Sequence, residues 1–160
     1  MPDLACPYVL TTPAGTITFN DGGTDQFYIQ DIPTGLAGAP IRAPIDEVGF
    51  GDGSEWYNWW KSGRHIAIEG VFLVQSVAFC SPAQVAVWNE LEEELRVALD
   101  SISTIETATA TLVWRPSGQT QRTLVVRNDI PLECPPDQGY LVRTFTFGLF
   151  AAEPVWTEST

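Results

Sequence analysis

The sequence predicts an α+β fold that is mainly antiparallel β and carries a single helix. Three features lead there. From Arg64 to Val74, the residues Ile66, Ile68, Gly70, Phe72 and Val74 fall on one face and His65 and Glu69 on the other, which is the period of a half-buried strand. From Ser81 to Ile102 the apolar spacing lengthens to that of a helix. Beyond it the alternation returns, so the order is strands, one helix, strands. With 160 residues, 44 % of them hydrophobic and 18 % charged, the chain is expected to form one domain over 1–160 around a continuous core. Apolar stretches such as Val71 to Phe79 are interrupted well short of the ~20 residues that span a bilayer, so no membrane insertion is predicted.

Two short alternating segments, Thr16-Ile17-Thr18-Phe19 and Gln26-Phe27-Tyr28-Ile29-Gln30, flank Asn20-Asp21-Gly22-Gly23, and the turn composition predicts a β-hairpin between them. From Pro33 to Gly63 glycine and proline are frequent and no period persists, so this stretch is expected to be mostly loop. Loops of that length are usually functional or assembly elements. Ser81-Pro82-Ala83-Gln84 then supplies an N-cap serine, a proline at the first helical position and a glutamine placed for a capping box. Val85, Trp88, Leu91, Leu95 and Leu99 follow at helical spacing as the candidate core face, continued by Ala98 and Ile102. Asn89, Glu90, Glu93, Glu94 and Asp100 form the opposite, acidic side, and Glu92 with Arg96 makes a favourable i,i+4 pair. Thr109–Arg115 and Thr120–Asn128, on either side of Pro116-Ser117-Gly118-Gln119, predict a second hairpin. Tyr140–Ala151 alternates as a final strand, with Leu141, Phe145, Phe147 and Leu149 opposite Thr144 and Thr146.

Twenty acidic residues against eight basic ones give a net charge of −12, which argues against a protein that clamps nucleic acid through its phosphates. The N-terminus has neither the basic flank nor the apolar run of a secretory leader, so synthesis and retention in the cytoplasm are expected. Cys6, Cys80 and Cys134 are odd in number and widely spaced, and read as buried reduced thiols rather than a disulfide framework or a metal site. The one histidine, His65, has no nucleophile or ligand at a recognisable spacing, and no nucleophile elbow, P-loop or zinc-protease motif occurs. No catalytic residue, cofactor or metal is therefore predicted. The acid-glycine stretches Asp21–Asp25 and Gly51–Glu55 lack the full ligand series of a calcium loop, and turn chemistry accounts for them.

Trp56-Tyr57-Asn58-Trp59-Trp60 is the most unusual stretch. Three readings stand on the residues alone: a flap over the core, a contact surface of the kind aromatic residues dominate, or a platform for stacking sugars.

Three segments together carry a resemblance: Ile32-Pro33-Thr34-Gly35-Leu36-Ala37-Gly38-Ala39-Pro40-Ile41-Arg42, then Gly63-Arg64-His65-Ile66-Ala67-Ile68-Glu69-Gly70, and the terminal Phe147-Gly148-Leu149-Phe150-Ala151-Ala152-Glu153-Pro154-Val155-Trp156. In this order around one helix they resemble the distal tail protein of long-tailed, siphovirus-type bacteriophages. The resemblance covers that family's N-terminal ring-forming domain, with no residues left for an appended carbohydrate-binding module. It implies a tail-tube-like antiparallel β-sandwich or split barrel with one flanking helix and a β-hairpin, assembled as a homo-hexameric ring. The ring would connect the tail tube to the baseplate or tip complex, with the tail-tube protein and the tail-tip hub protein as neighbours. The location implied is the virion tail, after assembly in the host cytoplasm, and the role is structural and not enzymatic. DNA would pass through without specific binding, repelled by acidic groups along the bore. The family places ring contacts in connections like 46–61, which makes Trp56, Tyr57, Trp59 and Trp60 the candidate subunit or ring interface. A tail-tube or tail-terminator subunit would share fold and symmetry, and a small carbohydrate-binding β-domain is the rival from another class.

Overall fold

The computed structural model describes residues 8–29, 31, 33–36, 41–42, 45–47, 54–56, 60–61, 63–103, 108–115, 120–135, 142–153 and 155–158, with backbone only between 41 and 61. The chain opens on a hairpin of β1 (Tyr8–Thr12) and β2 (Gly15–Phe19), paired from Tyr8↔Phe19 to Thr12↔Gly15. Thr12 closes it: its hydroxyl donates to the Gly15 carbonyl at 3.0 Å and accepts from the N–H groups of Ala14 and Gly15.

This hairpin corrects the expected one. β3 (Asp25–Tyr28) lies beside β2 but runs parallel to it, joined at the single pair Phe19↔Phe27. The cause is Asn20. It sits in the left-handed region at φ 56°, which asparagine tolerates. Its side-chain amide donates to the Ile29 carbonyl at 3.0 Å while its oxygen accepts from the Ile29 N–H at 2.7 Å. The side chain thus takes both backbone groups of Ile29 as a strand partner would, and Asn20–Thr24 becomes a loop that returns the chain in its original direction.

β3 pairs antiparallel with β8 (Arg64–Val74), and β8 pairs along its length with β11 (Thr144–Ala151). On the other side β1 pairs with β9 (Ala110–Trp114), and β9 with β10 (Arg122–Glu133). β10 is long enough to do two jobs. Arg122–Val126 pair with β9, whereas Arg127–Glu133 pair with β11 through two register shifts, where bulges bend the strand. The ring of pairings thereby closes as a seven-stranded barrel, and β12 (Thr157–Glu158) extends it outward from β10.

The stretch expected to be mostly loop contains paired backbone. β4 (Ile41–Arg42) pairs with β7 (Trp60–Lys61), and β5 (Ile45–Glu47) with β6 (Ser54–Trp56). Both ladders are antiparallel and nested, with partners offset by one residue from Arg42↔Trp60 to Ile45↔Trp56. Both ladders fall between β3 and β8 in the chain, and this inserted stretch is the arm.

Phe19, Phe27, Phe72, Phe145 and Phe147 meet inside the barrel with ring centroids 5.0 to 6.4 Å apart. Each fully buried ring contributes roughly 1.5–3 kcal/mol of transfer free energy. α1 (Pro82–Asp100) packs against β8, β10 and β2. Ser81 caps it, accepting from the Gln84 N–H at 3.2 Å. Gln84 is buried and accepts from the Cys80 N–H, one residue before the donor a capping box would use. Trp88, Leu95, Ala98, Leu99 and Ile102 are buried in the core, Val85 and Leu91 pack half-buried against it, and Asn89, Glu90, Glu93, Glu94 and Asp100 are exposed. Glu92 is shared between Arg96 and Arg143, and Arg143 also donates to Asn89 at 2.7 Å. The thiols depart from the expectation of burial: Cys80 is exposed, Cys134 is half-buried, and Cys6 lies outside the described residues. Burial, followed by the nearby Glu92, pushes the Cys134 thiol up to about 11.

Trp88 ties helix to barrel twice, through its buried rings and through its indole N–H, which donates to the Phe72 carbonyl at 3.0 Å. Trp88→Ala is expected to cost about 3–5 kcal/mol in urea unfolding, and Trp88→Phe, which leaves that carbonyl unmet, about 1–3 kcal/mol. A loss below about 1 kcal/mol for the alanine variant would show that the helix is held elsewhere.

Candidate functional site

The site is the root of the arm. Arg64 shares the strand parity of Ile66, Ile68 and Phe72, so the alternation of β8 turns a guanidinium inward, and Arg64 is only 4 % exposed. Its Nη1 donates to the Leu36 carbonyl at 3.1 Å. The guanidinium lies over the Trp156 ring, 5.5 Å from the centroid, a favourable cation–π distance. The Trp156 indole N–H donates to the same Leu36 carbonyl at 3.3 Å. Trp156 rests in turn on Trp114 at 5.6 Å, and Arg122 covers Trp114 at 5.9 Å. Burial pulls the Arg64 guanidinium below its ordinary pKa, and its Nε has no hydrogen-bond partner.

Two glycines bring the backbone into this junction. Gly35 has φ +83°, and a Cβ there would stand 1.9 Å from the His65 carbonyl oxygen. A Cβ on Gly63 would stand 2.3 Å from the Phe150 ring. Thr34 bridges to Ala67, whose N–H donates to the Thr34 carbonyl at 3.3 Å. Departure and return of the arm are therefore both fixed against the start of β8. The three segments that carry the sequence resemblance meet here through Leu36, Arg64 and Trp156.

Of the candidate interface residues, Trp56 lies opposite Ile45 and Trp60 opposite Arg42 in the backbone pairing of the arm, whereas Tyr57 and Trp59 lie outside the described residues. The helix residues Val85, Trp88, Leu91, Leu95 and Leu99 sit away from the root, against the core. Arg64 and Trp156 were missed as functional residues, and the available signal was a charged residue on the apolar parity of a strand. His65 is exposed on the other parity, its Nδ1 2.7 Å from an Asp129 oxygen and its ring 4.8 Å from that of Phe150.

The carboxylates of the first acid-glycine stretch do turn work. Asp21 accepts from the Gly23 N–H at 2.8 Å, and Asp25 accepts from the N–H groups of Gln75 and Ser76. Burial alone would raise Asp25, but the hydrogen bonds from Ser76 and Gln75 outweigh it and hold the carboxyl below its ordinary value. Among the described residues no three His, Cys, Asp or Glu side chains gather as a metal site, and no helix is long and apolar enough to cross a membrane.

No protein-family description matches the chain, and no curated protein does. Solved structures do. The crystal structure of the SPP1 Dit protein (gp 19.1), described as a paradigm of the hub adsorption apparatus in phages that infect Gram-positive hosts, matches 95 % of this chain with a TM-score of 0.61 at 12 % identity. The phage p2 baseplate, in its activated conformation with strontium, matches 89 % of this chain and 43 % of that one, with a TM-score of 0.49 at 13 % identity. At such identities the likeness is one of fold. The chain spans about half the length of the SPP1 protein, 52 %.

The root makes a sharp demand on Gly35. Gly35→Ala is expected to destabilise by more than about 2 kcal/mol in chemical unfolding, because the new Cβ meets backbone in a left-handed conformation. A change under about 0.5 kcal/mol would show that the arm's departure is not fixed there.

Proposed function

We propose that this chain is a structural subunit of a bacteriophage tail tip, a distal-tail-type unit that forms a homo-hexameric ring between the tail tube and the baseplate or tip hub. The observation that supports this most directly is the fold likeness to the SPP1 hub protein over 95 % of the chain. The proposed role is non-catalytic and belongs to a single tail-tube-like domain. DNA passes through the ring without specific binding, in keeping with a net charge of −12.

In this reading the arm makes the contacts between copies or with the adjoining ring. Its root is tied by the contacts of Arg64 and Trp156 with Leu36, its paired segments fall between 41 and 61, and its sequence offers Trp56, Tyr57, Trp59 and Trp60 as the apolar anchors that interfaces favour. A tied root is what such a contact needs, because an arm that pivots freely would lose ordering entropy on docking.

Mass photometry with negative-stain imaging of the purified chain tests the ring, and the expected species is a six-membered annulus. Replacing Trp59 and Trp60 together by serine is expected to leave the circular dichroism unchanged while weakening assembly by about 2 kcal/mol or more per anchor. Normal assembly of that variant would remove the arm from the interface, and unfolding would return the tryptophans to the core.

A further inference from the structure

A groove that shares no residue with the arm root lies between the first hairpin and α1 and encloses about 540 Å³. Its apolar lining includes Ile17, Val97 and Ala98. Val97 is 48 % exposed, beside the buried Ile17 and Ala98. On the helix the lining runs from Asn89 to Ala98, about 13 Å at 1.5 Å per residue. An extended segment of about four residues covers that length.

The opposite wall is a strand edge. β2 is bonded to β1 on one side, but on the other it meets β3 only at Phe19↔Phe27. There the Asn20 N–H donates to the Phe27 carbonyl at 2.9 Å, so even-numbered residues of β2 turn their backbone groups to this side. Thr16, which lines the groove, therefore turns its N–H and C=O away from β1, and among the described residues no strand pairs with it on that side. Such an edge is the template for strand addition.

Charge selects what can add there. Glu90, Glu93 and Glu94 line the helical wall. Glu93 is 3.6 Å from Arg96, while Glu90 and Glu94 make no ion pair among the described residues. Their i,i+4 repulsion costs the helix a few tenths of a kcal/mol and would be relieved by a cation from outside.

We infer that this groove docks an extended segment of another protein, about four residues long, which adds as a strand to the free edge of β2, seats an apolar side chain over Ile17 and Val97, and presents Lys or Arg to Glu90 and Glu94. The inference stands on the groove itself and is independent of the tail-tip reading. The probe is the peptide acetyl-Arg-Val-Arg-Val-Arg-amide, titrated into the full chain and followed by amide chemical shifts, with circular dichroism to verify that each variant folds. Saturable binding is expected, with shifts confined to residues 14–17 and 89–98, and the peptide acetyl-Glu-Val-Glu-Val-Glu-amide should bind at least tenfold more weakly. Combined Glu90→Lys and Glu94→Lys should reverse that preference. Thr16→Pro removes one outward N–H, which an edge strand tolerates, and should weaken binding at least tenfold. Should that variant fail to fold, the same peptide N-methylated at alternate amides replaces it. Absence of saturable binding overturns the proposal. So does equal affinity for Thr16→Pro or the N-methylated peptide, which would reduce the contact to charge alone. Loss of self-association on charge reversal, with peptide affinity unchanged, would make the occupant a second copy and also overturn it.

Discussion

The Leu36 carbonyl is the point on which the arrangement of this molecule turns. It accepts from Arg64 and from Trp156 at once, and so joins the departure of the arm, the start of β8 and the C-terminal tail in one place. A buried guanidinium is costly unless its donors are met, and here one, Nε, is not. An apolar side chain of similar size would fill the same space without that cost. What the arginine adds is direction. A hydrogen bond to a backbone carbonyl fixes where the chain leaves the barrel, and the indole above the guanidinium fixes how far the arginine can move. Gly35 belongs to the same constraint, since the close approach to the His65 carbonyl is open only to a residue without Cβ.

Barrel closure follows from a different economy of pairing. The β2–β3 junction is a single pair, the weakest seam in the ring, and α1 bridges strands on different sides of the barrel by packing on β2, β8 and β10. Trp88 reaches through to the end of β8, where its indole satisfies the Phe72 carbonyl. Arg64 and Phe72 are eight residues apart on that strand, roughly 26 Å at 3.3 Å per residue. One strand therefore spaces the arm root from the helix, and the two ends of the molecule present different chemistry: aromatic and cationic at the root, apolar with an acidic wall at the helix.

Much of this fold was legible because a period declares itself over enough residues. β8, α1, the β9–β10 hairpin and β11 each have either a long alternation or a complete cap. The errors fall where one side chain overrides a composition. Asn20-Asp21-Gly22-Gly23 has the residues of a hairpin turn, yet the amide of Asn20 pairs with Ile29 and makes the strands parallel. The arm was read as loop because its paired segments are two and three residues long, too short for any period to register. The aromatic residues of the arm stood out by composition, whereas Trp156 entered only as part of the terminal segment that carries the resemblance. The role of Arg64 did not stand out, because its meaning lies in two partners, 28 residues before it and 92 residues after it in the chain. The free edge of β2 was invisible for a related reason: an unpaired strand edge is a property of neighbours, and the hairpin was assigned the wrong one.

Electrostatics separates the two contacts proposed for this surface. Each copy brings a net charge of −12, and several of its cations are already committed: Arg64 under Trp156, Arg96 and Arg143 on Glu92, Arg122 beside Glu158 and over Trp114. Copies in the proposed ring associate against mutual repulsion, and the arm is the apolar contact proposed to overcome it. Salt screens repulsion between exposed charges over about 8 Å at physiological ionic strength, so raising it favours contact between copies. A basic segment in the groove beside Glu90 and Glu94 is held partly by attraction, and the same screening weakens it. Raising sodium chloride from about 50 to about 300 mM should thus strengthen self-association in sedimentation and weaken peptide binding in the same preparation. If both moved in one direction, a single kind of contact would account for both surfaces, and the division of labour between arm and groove would fail.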